Sequence, residues 1–365
     1  MPMAPHGISV IIPAFNAAAT IGETLSSALA QTRPPMEIIV VDDGSHDDTA
    51  AIVARMAAAH PRIKLLRQAN AGQILARNAA IAASRGDFIA PLDADDLWHP
   101  RYLEKVTAAL ERGGDDTGFA YSLYRMIDGE GRALFDGHDF NCEGWTIMRH
   151  LFVNFVGNGS CAVYRRDALL AAGLYPLDAI GWHGAEDYLL QLRVAARHRV
   201  ARVGEYLVGY RRSAGSYSML APKAAHRARI QAVATVCREF GLACPDAVHW
   251  ANADGLRVHA ALRAMQGRWP SALRLGLRAL MLDPAGTAVD LLARTRNALQ
   301  RLTPGSRKPA EANAIFLSLD PGKPMSARIN RLTGRRLARL ALGETGPVER
   351  VEQGRDPARG ILGRK

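Results

Sequence analysis

Three carboxylates stand within four residues at Asp93-Ala-Asp95-Asp96. Held so close they repel one another unless a cation neutralises them. Hard oxygen donors of this kind suit Mg²⁺ or Mn²⁺, which keep open positions for water and phosphate oxygens. A solvated acidic turn capping the next helix is the alternative that the residues alone leave open. Asp42-Asp43-Gly44-Ser45 reads either as a turn with a helix cap or as a place where Asp42 accepts hydrogen bonds from a base or ribose. Asn70-Ala-Gly72 followed by Ala76-Arg77-Asn78 gives a loop and then a helix carrying one cation. The Arg77 guanidinium can fork onto a diphosphate or pair with a nearby acid. Glu186-Asp187 falls where a helix starts, a position that the macrodipole favours for carboxylates.

The elements that must position these groups alternate in type. Ile8-Ser-Val-Ile-Ile12, Glu37-Ile-Ile-Val-Val41, Ile63-Lys-Leu-Leu66 and Asp87-Phe-Ile-Ala90 are short apolar runs, and Ala-rich stretches of helical period occupy 17–30, 48–59, 73–84 and 100–112. Strands alternating with helices predict an α/β domain with a mainly parallel central sheet. Ligands of such sheets sit beyond the carboxyl ends of the strands. There stand Pro13–Asn16, Asp42–Ser45 and Leu92–Asp96. A further strand is expected at Phe119–Tyr124 and a helix from Ala185 to about His198. The Gly-rich dinucleotide fingerprint is missing after the first strand, and Gly157-Asn-Gly159 comes too late to supply it, which argues against a Rossmann oxidoreductase. A nucleotidyltransferase would want a Gly-rich basic loop at the same place.

The chain has 365 residues, 48 % apolar, 22 % charged and 6 % aromatic, a balance that excludes collagen, coiled coil and wholesale disorder. No apolar run reaches the ~18 residues of a membrane-spanning helix, and MPMAPHGISV does not read as a signal peptide. Cys142, Cys161, Cys237 and Cys244 form no C-x-x-C pair and no zinc pattern, so buried thiols in a reducing cytoplasm are expected. The charge is lopsided: 21 basic and 24 acidic residues up to position 220, then 25 and 11 from 221 onward. From 221 to 302 the texture is helical, with Asp283-Pro284 as a helix start followed by Val289, Leu292, Leu299 and Leu302. A Pro/Gly linker is expected over 303–325, a short basic amphipathic helix over 326–342 and a disordered tail to 365.

In the order in which they occur, these pieces resemble family 2 glycosyltransferases of the GT-A fold. The resemblance is carried by Val10-Ile-Ile-Pro-Ala-Phe-Asn16, Glu37-Ile-Ile-Val-Val-Asp-Asp-Gly-Ser45, Asn70-Ala-Gly72 with Ala76-Arg-Asn78, Gly86-Asp-Phe-Ile-Ala-Pro-Leu-Asp-Ala-Asp-Asp-Leu-Trp-His-Pro100, Glu186-Asp187 and Tyr210-Arg-Arg-Ser213. It covers about residues 7–220 and implies a GT-A-like domain over 1–220, leaving 221–302 as a helical extension and 303–365 as linker, short helix and tail.

The resemblance implies roles. Pro13, Phe15 and Asp42 border the base; Arg77 lies near the base or diphosphate. Asp93 and Asp95 are the family's D-x-D, with Asp95 the main ligand of a divalent cation (Mn²⁺ or Mg²⁺) and Asp93 near the ribose or metal. Asp187 is the catalytic base, with Glu186 its rival. Arg211, Arg212, Ser216 and Ser218 match a loop over the diphosphate. Trp182 and His183 could line the acceptor pocket, and Asn158 and Ser160 lie on the acceptor side. The implied activity is inverting transfer from a nucleotide-sugar, a UDP-sugar by expectation, to a saccharide or lipid-linked acceptor in cell-surface polysaccharide assembly. The rival reading is an inactive scaffold or sugar-binding module. The basic C-terminal part predicts peripheral contact with the cytoplasmic face of the inner membrane. No nucleic-acid partner is expected.

Overall fold

Val10, Ile11 and Ile12 are all buried, the unbroken apolar run of a strand covered on both faces. They belong to β1 (Ile8–Ala14), which opens a series with α1 (Ile21–Leu29), β2 (Glu37–Asp42), α2 (Thr49–Ala59), β3 (Ile63–Arg67), α3 (Gln73–Ala83) and β4 (Phe88–Pro91). This is the alternation that the sequence predicts. The structure is a computed structural model, and it describes residues 6–182, 184–212, 222–242, 245–265, 267–284, 287–288, 314–323 and 348. Beyond β4 come β5 (Leu97–Trp98), α4 (Tyr102–Arg112), β6 (Thr117–Ile127), β7 (Ala133–Asp136), α5 (Ile147–Phe152), β8 (Ala162–Arg165), α6 (Arg166–Ala171), α7 (Glu186–Ala195) and β9 (Arg199–Arg211). The strands form one sheet in the order β3-β2-β1-β4-β8-β6-β9-β5, with β7 beside β6. Its first four strands are parallel. The rest is mixed: β8 runs antiparallel to β4 and β6, and β9 runs parallel to β6.

Three helices follow, α8 (Pro222–Glu239), α9 (Pro245–Met265) and α10 (Trp269–Leu282). The first two share the core of the sheet domain. Ala232, Val233, Val236 and Phe240 of the α8 region, and Ala247 and Ala251 of α9, join its buried apolar cluster. Arg193 of α7 pins α8 with a fork onto Glu239, Nε to Oε2 at 3.0 Å and Nη2 to Oε1 at 2.6 Å. At the end of α10, Asp283 accepts Arg257 Nη1 at 3.0 Å, and its carbonyl accepts the Thr287 N–H, one helical turn on.

The linker expected over 303–325 is corrected where it is described. Residues 314–323 lie along the sheet edge, with Phe316 buried against Leu97 and Ile127, and Leu319 against Ala133. The Tyr206 N–H donates to the Pro321 carbonyl at 2.8 Å, and the buried Arg125 donates to the Asp320 and Lys323 carbonyls. The prolines and glycines mask an apolar run, Ala314-Ile-Phe-Leu-Ser-Leu319, that burial and backbone pairing hold in place. Val289, Leu292, Leu299, Leu302, Cys244, the helix expected at 326–342 and, Val348 apart, the tail beyond it lie outside the described residues. Cys142 and Cys161 are buried.

Candidate active site

The loops after β1 and β2 are stitched to each other. The Asn16 N–H donates to Ser45 Oγ and the His46 N–H donates to Asn16 Oδ1, each at 2.9 Å. Asn16 adopts a left-handed φ of 49°, which asparagine tolerates better than most residues. Phe15 is left 47 % exposed on this edge, edge-to-face with His46, beside the half-buried Pro13.

Asp42, expected against the base, is fully buried, accepting the Ser45 N–H at 3.2 Å and Arg67 Nε at 3.3 Å. Here it shapes the loop and presents no exposed oxygen. Its neighbour Asp43 holds more of the structure together. It accepts Gln68 Nε2, the Ala71 N–H and the Gly72 N–H at 2.7–2.9 Å, fastening the Asn70-Ala-Gly72 loop. Gly44 has φ of 75°, and a Cβ there would stand 2.8 Å from the Asn70 nitrogen, so this turn requires glycine.

The acidic loop after β4 is held from below. Asp96 is buried, and its carboxylate accepts Asn158 Nδ2 at 2.8 Å, Ser160 Oγ at 2.6 Å and the Arg211 N–H at 2.9 Å. Burial and the charges of Asp95 and Asp93 hold its carboxyl well above the usual carboxylate range despite those donors. Arg211, expected over a diphosphate, is instead buried inside the fold. Its Nε donates to the Asp95 carbonyl at 2.7 Å, Nη2 to Glu23 at 2.7 Å, and Nη1 to the Gly129 carbonyl. Asn158, expected on the acceptor side, lies beneath Asp96 with its side-chain Oδ1 accepting the Cys161 thiol. Replacing Ser160 by Ala removes the donor to Asp96 and the acceptor for the Asp93 N–H. The expected loss is about 1–3 kcal/mol of stability, read as a lower urea midpoint at unchanged slope.

What remains accessible is Asp93 with Asp95, and Asp187. Asp95 is pushed up to about 6, first by burial and then by the charge of Asp93. Arg77, almost wholly buried, bridges the two acidic motifs: Nη2 donates to Asp93 Oδ1 at 2.5 Å and Nη1 to Glu186 Oε1 at 2.7 Å, while its guanidinium lies 5.0 Å from the centre of the Tyr175 ring. Glu186 Oε1 also accepts Gln73 Nε2 at 2.8 Å. With Glu186 so occupied, Asp187 is the member of the pair left half-buried. Burial and then the Glu186 charge push it up to about 7, against the opposing pull of Arg77. The chain enters this helix through Gly184 and Ala185, both with positive φ. The non-glycine Ala185 stores strain where the pair is aimed.

Sequence reasoning missed the neighbours that make this work. Gly159 lies against the pair, since a Cβ there would come within 3.8 Å of Asp187 Oδ2 and of Arg77 Nη2. Gln73 is a helix-start residue with no local sign of its partner, and Tyr175 lies in an irregular segment. Trp182 is half-buried and packs on the core, its N–H donating to the Ala179 carbonyl at 3.0 Å. Arg212 is exposed, its N–H bonded to the Ile127 carbonyl. His183, Ser216 and Ser218 lie outside the described residues. Among the described residues, no three His, Cys, Asp or Glu side chains form a group that could hold a metal by themselves.

A half-parallel, half-mixed α/β sheet with acidic loops at the carboxyl edge is the arrangement of a GT-A domain. A mannosyltransferase from Pyrobaculum calidifontis, solved with GDP-Man and Mn²⁺, shares this fold: the TM-score is 0.53 over 94 % of this chain and 88 % of that one, at 19 % identity. Residues 9–170 match the family model described as glycosyl transferase family 2. An uncharacterised glycosyltransferase of Nostoc is 32 % identical over 213 residues, 56 % of this chain and 64 % of the relative. A chondroitin synthase of Escherichia coli is 36 % identical over 135 residues, 36 % of this chain and 19 % of that protein. The chain thus spans less than two thirds of the length of these relatives.

Proposed function

We propose that the chain transfers a sugar, with inversion, from a nucleoside-diphosphate donor to a hydroxyl of a saccharide or lipid-linked acceptor in polysaccharide assembly. One observation carries this reading. Arg77 engages Glu186 and Asp93, leaving Asp187 as a partly exposed carboxylate poised at about 7 beside the acidic loop of β4. A general base works best with a value near the operating pH. Asp187 takes the proton of the acceptor hydroxyl as that oxygen attacks the anomeric carbon from the face opposite the leaving diphosphate. Glu186 is the less suited of the two, since it is buried and its Oε1 already accepts from Arg77 and Gln73.

Phe15 and Pro13 supply an exposed apolar platform for the base. Asp43 keeps the neighbouring loop in shape through its three hydrogen bonds. Asp95 and Asp93 fit a divalent cation: two nearby carboxylates, one of them held at about 6 by burial and by the charge of the other, suit an ion that completes its shell from water and phosphate. When bound, that ion supplies positive charge to the departing diphosphate. Among the curated relatives, the chondroitin synthase is named for polysaccharide synthesis, which supports the acceptor class.

Thermal shift with nucleoside diphosphates, with and without Mn²⁺, tests the donor side. Uridine diphosphate is the base expected, with guanosine diphosphate as the comparison. At a hundred times the dissociation constant, a bound ligand adds ~2.7 kcal/mol to stability. The melting temperature of the wild type is expected to rise with nucleotide and Mn²⁺ together, and that of Asp95→Ala is expected to stay level. No shift with any nucleotide under any metal condition overturns the transferase reading in favour of a scaffold.

A further inference from the structure

The residues of α10 divide into two faces. Ala272 and Ala279 are buried, where the helix packs along α9. On the other side Trp269, Leu273, Leu277, Leu280 and Met281 are 41–76 % exposed. At about 100° per residue these five fall within an arc of roughly 120°, a continuous apolar stripe along the helix. Scattered exposed leucines are ordinary on a protein surface, but a contiguous stripe marks an interaction surface. Arg274 and Arg278, both exposed, border the stripe along one side, and the exposed Arg268 precedes the helix. The helix contains no acidic residue.

We propose that this face of α10 docks on an anionic lipid surface. The stripe would enter the boundary between headgroups and acyl chains, Trp269 would sit at headgroup level, and the arginines would meet lipid phosphates. Charge selects lipid over a second copy of the chain. From residue 221 onward there are 25 basic and 11 acidic residues, so pairing two such faces brings like charge together, whereas an anionic surface neutralises it. No helix among the described residues is long and apolar enough to cross a membrane, so the mode is attachment in the plane of the interface. The inference stands whether or not the transferase reading holds.

The test is co-sedimentation of the full chain with two kinds of vesicle: phosphatidylcholine alone, and phosphatidylcholine with about 30 % phosphatidylglycerol. Binding is expected to the second and to weaken as salt is raised. Replacing Leu273 and Leu277 by Ser is expected to lower the partition about ten-fold for each leucine. Replacing Arg274 and Arg278 by Gln is expected to lower it about five-fold for each charge, the equivalent of ~1 kcal/mol. All four side chains are exposed, so melting temperatures should match the wild type, and the two pairs of substitutions are independent arms. Failure of the wild type to bind the anionic vesicles overturns the proposal, as does undiminished binding by both pairs. A wild-type dimer in solution that Leu273→Ser/Leu277→Ser converts to monomer, without vesicle binding, assigns the stripe to self-association instead.

Discussion

Asp187→Asn is expected to slow sugar transfer by about 10²–10⁴-fold, the usual worth of a positioned general base. Binding of nucleoside diphosphate, read by thermal shift, should stay close to wild type, because Asp187 is assigned to the acceptor's proton and has no assigned role on the donor. The pH dependence gives a sharper signature. The carboxyl is pushed up to about 7 from an ordinary value of 3.8. The ionised base is therefore lost as pH falls through about 7, and the transfer rate should fall with it.

Stability should run the other way. The folded state holds the proton more tightly than the unfolded chain, so stability is greatest below the unfolded value and declines as pH rises toward about 7. Asp95, raised to about 6, adds a contribution of the same sign over a lower window. The Asp187→Asn variant should show a flatter stability profile between about pH 4 and 7 than the wild type. A variant with undiminished rate, or a wild-type rate indifferent to pH across 7, would remove Asp187 from the mechanism and return Glu186 as the candidate.

Arg77→Met is expected to be the most damaging substitution for the fold around the site. Arg77 is the shared cation of Asp93 and Glu186, and its side chain is only 3 % exposed. Removing one partner of a buried ion pair leaves uncompensated charge and typically costs about 3–5 kcal/mol. For a protein of this size that lowers the melting temperature by about 4–7 °C. The functional consequence is separable. Arg77 opposes the upward shift of Asp187, so in any variant that folds, the pH midpoint for transfer should move upward. Arg77→Lys keeps the charge but cannot fork onto both acids, and should keep more of the stability than of the rate. An Arg77→Met protein with wild-type melting and an unmoved pH profile would show that the bridge carries neither role.

Much of the first half of the fold is legible in the chain itself. β1 to β4 and the helices between them announce themselves because each is a local pattern: Val10-Ile-Ile12 and Ile38-Ile-Val-Val41 are continuous apolar runs, and the Ala-rich stretches keep helical spacing. The place of Asp93-Ala-Asp95-Asp96 after a strand followed from the same patterns. β9, with Val200, Val203, Tyr206, Leu207 and Val208 buried, went unread because its apolar residues keep no strict alternation. The strap at 314–323 was hidden by the prolines and glycines around it.

What the sequence by itself determined is which residue types stand at the carboxyl edge of the sheet, and therefore the class of chemistry. Which acids are free to perform it was decided only by tertiary structure. Asp96 looks equivalent to Asp93 and Asp95 in the chain, yet it is consumed by Asn158, Ser160 and Arg211, the last lying 115 positions away. Glu186 and Asp187 are neighbours with the same charge, and Arg77, 109 positions away, distinguishes them by engaging only Glu186 directly. The charge state of a carboxylate depends on which donors and charges reach it and how much water is excluded. In this chain those partners come from α3, the approach to β8 and β9, so they meet only when the sheet has closed.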